Sequence, residues 1–229
     1  MVIIKTIMLS FSEAQKRYLQ ALGLLSGLCL AFFIVRMLLT GSSAYIFIPT
    51  NLALAWLGLV FSWLLVHQLK VTRWLSWQNL SLSVLWLFFL PNSWYVLSDF
   101  IHVYPTGEIS ELYDIVMVGS LVMTGFILGY TSLYLMHKEL IKRIARLDAG
   151  VIITGVILLS SFGIYLGRDL RWNSWDVLAN PSGVILNVSD RIIDPLGHLR
   201  AYNVTGLFFV LISVTYWAFW LAFKPVKTK

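Results

Sequence analysis

The chain has 229 residues, of which 59% are hydrophobic and only 12% charged, with a formal net charge of +6. Soluble domains carry about a quarter charged residues, and a chain of this length has too little interior to hide so much apolar surface, so lipid must be its solvent. The positive charge does not point to nucleic acid: the Lys and Arg residues sit at the ends of apolar runs rather than along one face, and the stacking signatures of nucleic-acid binders are missing.

Six runs are long enough to cross a bilayer, which takes roughly 20 apolar residues. They cover 19–39, 46–67, 80–101, 114–136, 150–167 and 203–223. Ahead of the first, Lys5, Lys16 and Arg17 precede an apolar stretch too long for a signal peptide, which predicts an uncleaved first helix. Residues 1–16 are expected to form an interfacial segment, with Ser12 to Gln15 matching the S-x-x-Q cap pattern. Cys29 is the sole cysteine and lies inside this run, which excludes an intramolecular disulfide and any CxxC site. In the second run Asn51 is expected to bond between helices, as is Asn79 at the start of the third. The third run contains Pro91, so it is kinked there or ends and re-enters. The fifth is short and reaches full length by continuing into Arg168 to Trp172. No internal repeat or low-complexity linker interrupts the series, so the expectation is an all-α polytopic bundle in one domain, residues 1–229.

Charge orients the bundle. With the amino terminus inside, the inner segments hold Lys5, Lys16 and Arg17; Lys70 and Arg73; Lys138, Lys142, Arg143 and Arg146; and Lys224, Lys227 and Lys229. The positive-inside rule then predicts cytoplasmic termini in a bacterial inner or plasma membrane. Most acidic residues fall on the opposite, outer face.

Two polar segments interrupt the apolar pattern at that face. In 91–102 (PNSWYVLSDFIH), a continuous helix at about 100° per residue places Asn92, Tyr95, Asp99 and His102 on one stripe. Such a stripe can stitch helices together through hydrogen bonds. Alternatively, Asp99 and His102 at i, i+3 suit acid–base chemistry. A metal would need further ligands, and His198, Asp176, Asp190 and Asp194 show no recognisable spacing. In 167–176 (GRDLRWNSWD), a helix would put Tyr165, Arg168, Asp169, Trp172 and Asp176 on one face. Arg168 is then the natural partner of Asp99, and Arg168 with Arg171 can hold a phosphate in bidentate fashion. Trp172 and Trp175 read as interface anchors. Ser110, Glu111 and Asp114 fit the cap and first turn of the fourth run, and Arg36 can snorkel or pair at the end of the first.

Between the fifth and sixth runs, Asn180-Pro181-Ser182-Gly183 signals a turn. The segment 184–194 that follows is amphipathic, with Asn187, Asp190, Arg191 and Asp194 on one side and Val184, Ile185, Val188 and Ile192 on the other. It is expected to lie flat on the outer surface, as an inert surface helix or as a cover for the site. No P-loop, GxGxxG, HExxH or GxSxG is present, and nothing calls for a cofactor.

Four blocks carry a family resemblance: Asn51-Leu52-x-Leu-Ala-Trp56; Leu90-Pro91-Asn92-x-x-Tyr95 with Asp99 and His102; Tyr113-Asp114; and Ser160 through Arg168, continuing as Arg171-Trp172-Asn173-Ser174-Trp175-Asp176. On these the chain resembles the bacterial integral membrane family called domain of unknown function 1361. An alanine–proline pair is common in that family where this chain has Ser93-Trp94. The resemblance implies the topology and the importance of the blocks, and brings no reaction with it. The expected role is to bind or process an anionic lipid or polyprenyl-phosphate-linked substrate. Asp99 and His102 would move protons, and Asn92, Tyr95, Asp114, Arg168, Asp169, Arg171, Trp172, Asn173, Trp175 and Asp176 would contact the substrate. A non-catalytic assembly subunit is the alternative. A small carrier comes third, since carriers place polar residues near the midplane of several helices.

Overall fold

A computed structural model describes residues 12–105, 107–172 and 179–222. In chain order the helices are α1 (Glu13–Thr40), α2 (Phe47–Gln68), α3 (Trp77–Phe89), the short α4 (Asn92–Tyr95), a 3₁₀ helix (Val96–His102), α5 (Glu111–Ile141), α6 (Arg146–Asp169), α7 (Pro181–Ile193) and α8 (Leu199–Ala222). No strand occurs among the described residues. Six helical stretches are long and apolar enough to cross a membrane: α1, α2, Trp77–His102, α5, α6 and α8. At 31 residues α5 is about 46 Å long, well beyond the ~30 Å hydrocarbon thickness, so its polar ends reach the headgroup region.

The first span starts earlier than the apolar run. Ser12 Oγ accepts from the Gln15 backbone N–H at 3.2 Å and the Ser12 N–H donates to Gln15 Oε1 at 2.9 Å, so residues 13–16 belong to α1 itself. Residues 1–11, the rest of the expected interfacial segment, lie outside the described residues. Gly41 ends α1 in the left-handed conformation (φ 67) and donates to Met37 O at 2.9 Å. Asn79 does not bridge two spans; its amide donates to Thr72 Oγ1 and Arg73 O at 2.8 and 2.9 Å, closing the turn ahead of α3.

The break at Pro91 organises the interior. Proline removes one backbone donor and crowds the turn before it, but Leu90 and Pro91 keep helical dihedrals; Ser93 N–H closes a tight turn on Leu90 O at 3.1 Å, and with Tyr95 N–H on Pro91 O at 2.9 Å the regular helical pattern resumes. Irregular backbone at membrane depth has to be buried in protein, and glycines on three helices make that possible. A Cβ on Gly58 (α2) would stand 3.3 Å from Leu90 Cα, one on Gly125 (α5) 2.6 Å from Ser93 O, one on Gly129 (α5) 2.7 Å from Ser93 Cβ, and one on Gly163 (α6) 3.0 Å from Pro91 Cγ. The spacing Gly125-x-x-x-Gly129 is the small-residue device that lets membrane helices approach closely.

Past the break the helix tightens, and this corrects the single-stripe expectation. A 3₁₀ helix turns about 120° per residue rather than 100°, so Asp99 no longer shares one face with Tyr95, although the two stay in electrostatic range. Tyr95 faces α6, where a Cβ on Gly167 would meet its ring at 3.4 Å, while Asp99 turns to Asn51 on α2. The α6 helix stops at Asp169, which overturns the helical face expected to carry Arg168 on to Trp172; Asp176 lies outside the described residues. Arg171 takes the left-handed conformation (φ 58) and the Trp172 N–H folds back to Leu166 O at 3.2 Å.

At the opposite end, α5 and α8 are joined by His137. This residue is buried, bonded through Nδ1 to Tyr216 Oη at 2.9 Å and stacked on Trp220 with ring centroids 3.9 Å apart. Glu139, also buried, pairs with Lys142 and Arg143 there, and Arg143 donates to Leu69 O at 2.6 Å.

Candidate functional site

Polar residues gather where α1 and α6 finish and α5 starts, the acidic end of the bundle. Its most buried element is an ion pair between Arg36 and Asp114, each 1% exposed. Arg36 Nε donates to Asp114 Oδ1 at 2.7 Å and Nη2 to Asp114 Oδ2 at 3.2 Å. Tyr45 stacks its ring 4.2 Å beneath the guanidinium and has both Asp114 Oδ2 and His102 O as acceptors at 3.1 Å. Burial, reinforced by the bond to the carboxylate, pushes the Tyr45 hydroxyl up from its ordinary 10 to about 12. Glu108 approaches Arg36 Nη2 at 3.5 Å. Five pieces of chain are thereby tied together: α1, the turn before α2, the end of the 3₁₀ helix, the loop after it, and α5.

Asp99 lies beside this cluster, 3% exposed. It accepts from Asn51 Nδ2 at 2.7 Å, and among the described residues no ion pair joins it to Arg168. That replaces the expected Asp99–Arg168 bridge, and the cause is the change of helical pitch after Tyr95. His102 is exposed, its ring tilted against Phe47 at 5.0 Å. Asn92 is half-buried and its amide donates to Phe89 O at 3.0 Å.

Along α6, Asp169 is bound by Arg200 of α8 at 2.5 Å. Arg168 is half-buried and Arg171 exposed, and no described carboxylate is in ion-pair contact with either. The Trp172 ring packs at the start of α7, where a Cβ on Gly183 would stand 2.9 Å from Trp172 Cη2. Asn173, Trp175 and Asp176 lie outside the described residues. The two polar segments do meet, but through packing of Pro91 on Gly163 and Tyr95 on Gly167 rather than through charge. Among the described residues no group of three or more His, Cys, Asp or Glu is placed to hold a metal ion.

Sequence reasoning weighed Asp114 as a cap and substrate contact and missed its partner. The signal was present: Arg36 is the one charged residue within the apolar part of α1, and a charge there needs a counter-ion. Asn51 stood in a family block and had been assigned an interhelical bond, which is what it makes. Tyr45, Arg200, and the Arg191–Tyr165 contact at 3.2 Å carried no such mark.

These features define an all-helical, multi-pass membrane protein with a buried polar network at one end. The chain belongs to the family described as protein of unknown function (DUF1361), whose model matches residues 50–215. No curated protein and no solved structure matches the chain.

Proposed function

We propose that the acidic end binds the phosphate of an anionic lipid or lipid-linked molecule, with Arg168 and Arg171 as the anion ligands. The observation that carries this reading is the distribution of charge partners. Asp114 is paired with Arg36, Asp169 with Arg200, and Asp99 is bonded to Asn51, whereas Arg168 and Arg171 are in ion-pair contact with no described carboxylate. An arginine at a membrane boundary with no counter-charge among the described residues suits a phosphate, which its planar fork meets through two parallel hydrogen bonds. Tyr95 lies beneath, against Gly167, and Trp172 flanks the turn.

The geometry favours binding over catalysis. Asp99 is buried and bonded to Asn51 of α2, which leaves the exposed His102 as the group better placed to exchange a proton with the surroundings. In keeping with the positive-inside rule, the reading puts the acidic end at the outer leaflet of a bacterial inner or plasma membrane, with both termini cytoplasmic.

The test is native mass spectrometry of gently purified protein, delipidated and then given phosphatidylglycerol or phosphatidylcholine. Wild type is expected to retain phosphatidylglycerol preferentially, and Arg168→Ala and Arg171→Ala to lose that preference. Equal retention in all three removes these arginines as an anion site. It would favour an assembly subunit, a reading supported by the way the Arg36 network is satisfied within the chain; crosslinking in membranes would then follow.

A further inference from the structure

Helix α7 turns a charged residue toward the protein and large apolar residues away from it. Its polar residue Arg191 is 8% exposed and points into the bundle, Nε donating to Tyr165 Oη at 3.2 Å and Nη1 to Asn187 O at 2.8 Å. Tyr202 of α8 donates to Arg191 O at 2.7 Å, so the helix is held from both flanking spans. On the outward side three large apolar side chains stand uncovered, Ile185 63% exposed, Leu186 69% and Ile193 81%, with Asp190 at the edge of that side, 60% exposed and paired with Arg191 at 3.2 Å and His198 at 2.9 Å. Of the side chains expected on the apolar side, Ile185 faces outward; those of Val184 and Ile192 lie outside the described residues.

An uncovered row of large apolar side chains is a liability in water and an anchor at a bilayer. What covers this one follows from where the helix is tied. Asp169, the last residue of α6, and Leu199, the first of α8, bracket it, and both helices are long and apolar enough to span a membrane. Bonded through Arg191 to Tyr165 near the end of α6 and to Tyr202 near the start of α8, α7 is held at the level where those two spans end. We infer that α7 is embedded in the headgroup–acyl boundary of the bilayer, its Ile185, Leu186 and Ile193 face in lipid, and that Arg191 is the latch holding its polar side on Tyr165. Thirteen residues give a helix about 20 Å long, enough to lie across the ends of its neighbours. This inference stands independently of the anion site.

Spin labels test it. Cysteines at Leu186 and at Ile193, each on a Cys29→Ala background, carry a nitroxide in the full chain reconstituted into phosphatidylcholine–phosphatidylglycerol vesicles. Oxygen concentrates in lipid and a nickel chelate in water, so the ratio of their relaxation effects reads depth. Leu207, 70% exposed on α8, is the lipid reference, and the exposed Glu111 the aqueous one. The ratio at Leu186 and Ile193 is expected to approach that at Leu207. A ratio matching Glu111 overturns the proposal, and so does exclusion of both agents, which would mean that a protein or a second copy covers the face. Ile185 offers a third position if one variant does not fold. For the latch, the distance distribution between labels at Leu186 and Leu159 is expected to broaden in Arg191→Met and to stay narrow in Ser189→Ala. An unchanged distribution in Arg191→Met refutes it.

Discussion

Replacing Arg36 by Met removes one partner of a fully buried ion pair and leaves Asp114 with a single hydrogen-bond donor, the Tyr45 hydroxyl at 3.1 Å. Stranding a buried charge in this way costs about 3–5 kcal/mol. The structure indicates what the double variant Arg36→Met/Asp114→Leu should do. Tyr45 keeps His102 O as its acceptor at 3.1 Å, Thr40 keeps its bond to the backbone of residue 36, and Glu108 is already 43% exposed. No buried donor is orphaned, and the remaining loss is the Tyr45–Asp114 hydrogen bond, about 1 kcal/mol. The double variant is therefore expected to be more stable than Arg36→Met alone, with a coupling energy of about 2 kcal/mol or more. Reversible unfolding in mixed micelles, followed by circular dichroism, measures all four corners of the cycle. Additive effects, or a loss under about 1 kcal/mol for Arg36→Met, would show that the pair is solvated and would refute the reasoning.

The glycine contacts around Pro91 make a second prediction. A Cβ at Gly125 would stand 2.6 Å from a backbone oxygen that cannot swing aside, so Gly125→Ala should destabilise by about 1–3 kcal/mol. Gly27→Ala meets nothing within 4 Å and should gain up to about 1 kcal/mol from helix propensity; the same unfolding assay ranks the two. Asp99→Asn keeps an oxygen able to accept from Asn51 Nδ2 and should leave stability unchanged or higher, while Asn51→Leu strands the carboxylate and should cost about 1–3 kcal/mol. Arg171 adopts φ 58, a conformation that costs a side-chain-bearing residue about 1–2 kcal/mol, so Arg171→Gly should raise the melting temperature while reducing phosphatidylglycerol retention. For Tyr45, the folded hydroxyl titrates near 12 against an ordinary 10. The stability it contributes is present in full below pH 10 and is lost as pH rises toward 12; Tyr45→Phe should flatten that alkaline limb in a pH series of melting curves.

Six spans were legible in the sequence because a membrane helix carries its own evidence: length and apolarity suffice, and no neighbour has to be known. Capping at Ser12 was legible for the same reason, since both partners lie within four residues. The polar end was legible only as a location. Which acid meets which base depends on rotation about each helix axis, and one change of pitch after Tyr95 redirected Asp99 from Arg168 to Asn51. Arg36 and Asp114 are 78 residues apart in the chain, and no local pattern joins them. The α6 terminus misled because Arg168 to Asp176 continues a helical periodicity that the left-handed Arg171 cuts short.

The Arg171 turn and α7 are mechanically one unit, and this bears on where a ligand would come from. Gly183 has no side chain, so the Trp172 ring seats on the first turn of α7, while Asn180 Oδ1 caps that same turn by accepting from the Gly183 N–H at 3.1 Å. If α7 lies in the lipid boundary, Trp172 is held at the same level, and the neighbouring Arg171 is presented among headgroups rather than above them. A phosphate reaching Arg168 and Arg171 from within the leaflet then travels sideways and keeps its acyl chains in hydrocarbon. A soluble phosphate would have to descend to the same depth and lose hydration without that compensation. The charge distribution argues for an anion, and the setting of α7 argues that the anion is part of a lipid. The two lines meet at Trp172, whose ring contacts the helix and whose backbone closes the turn that carries the arginine.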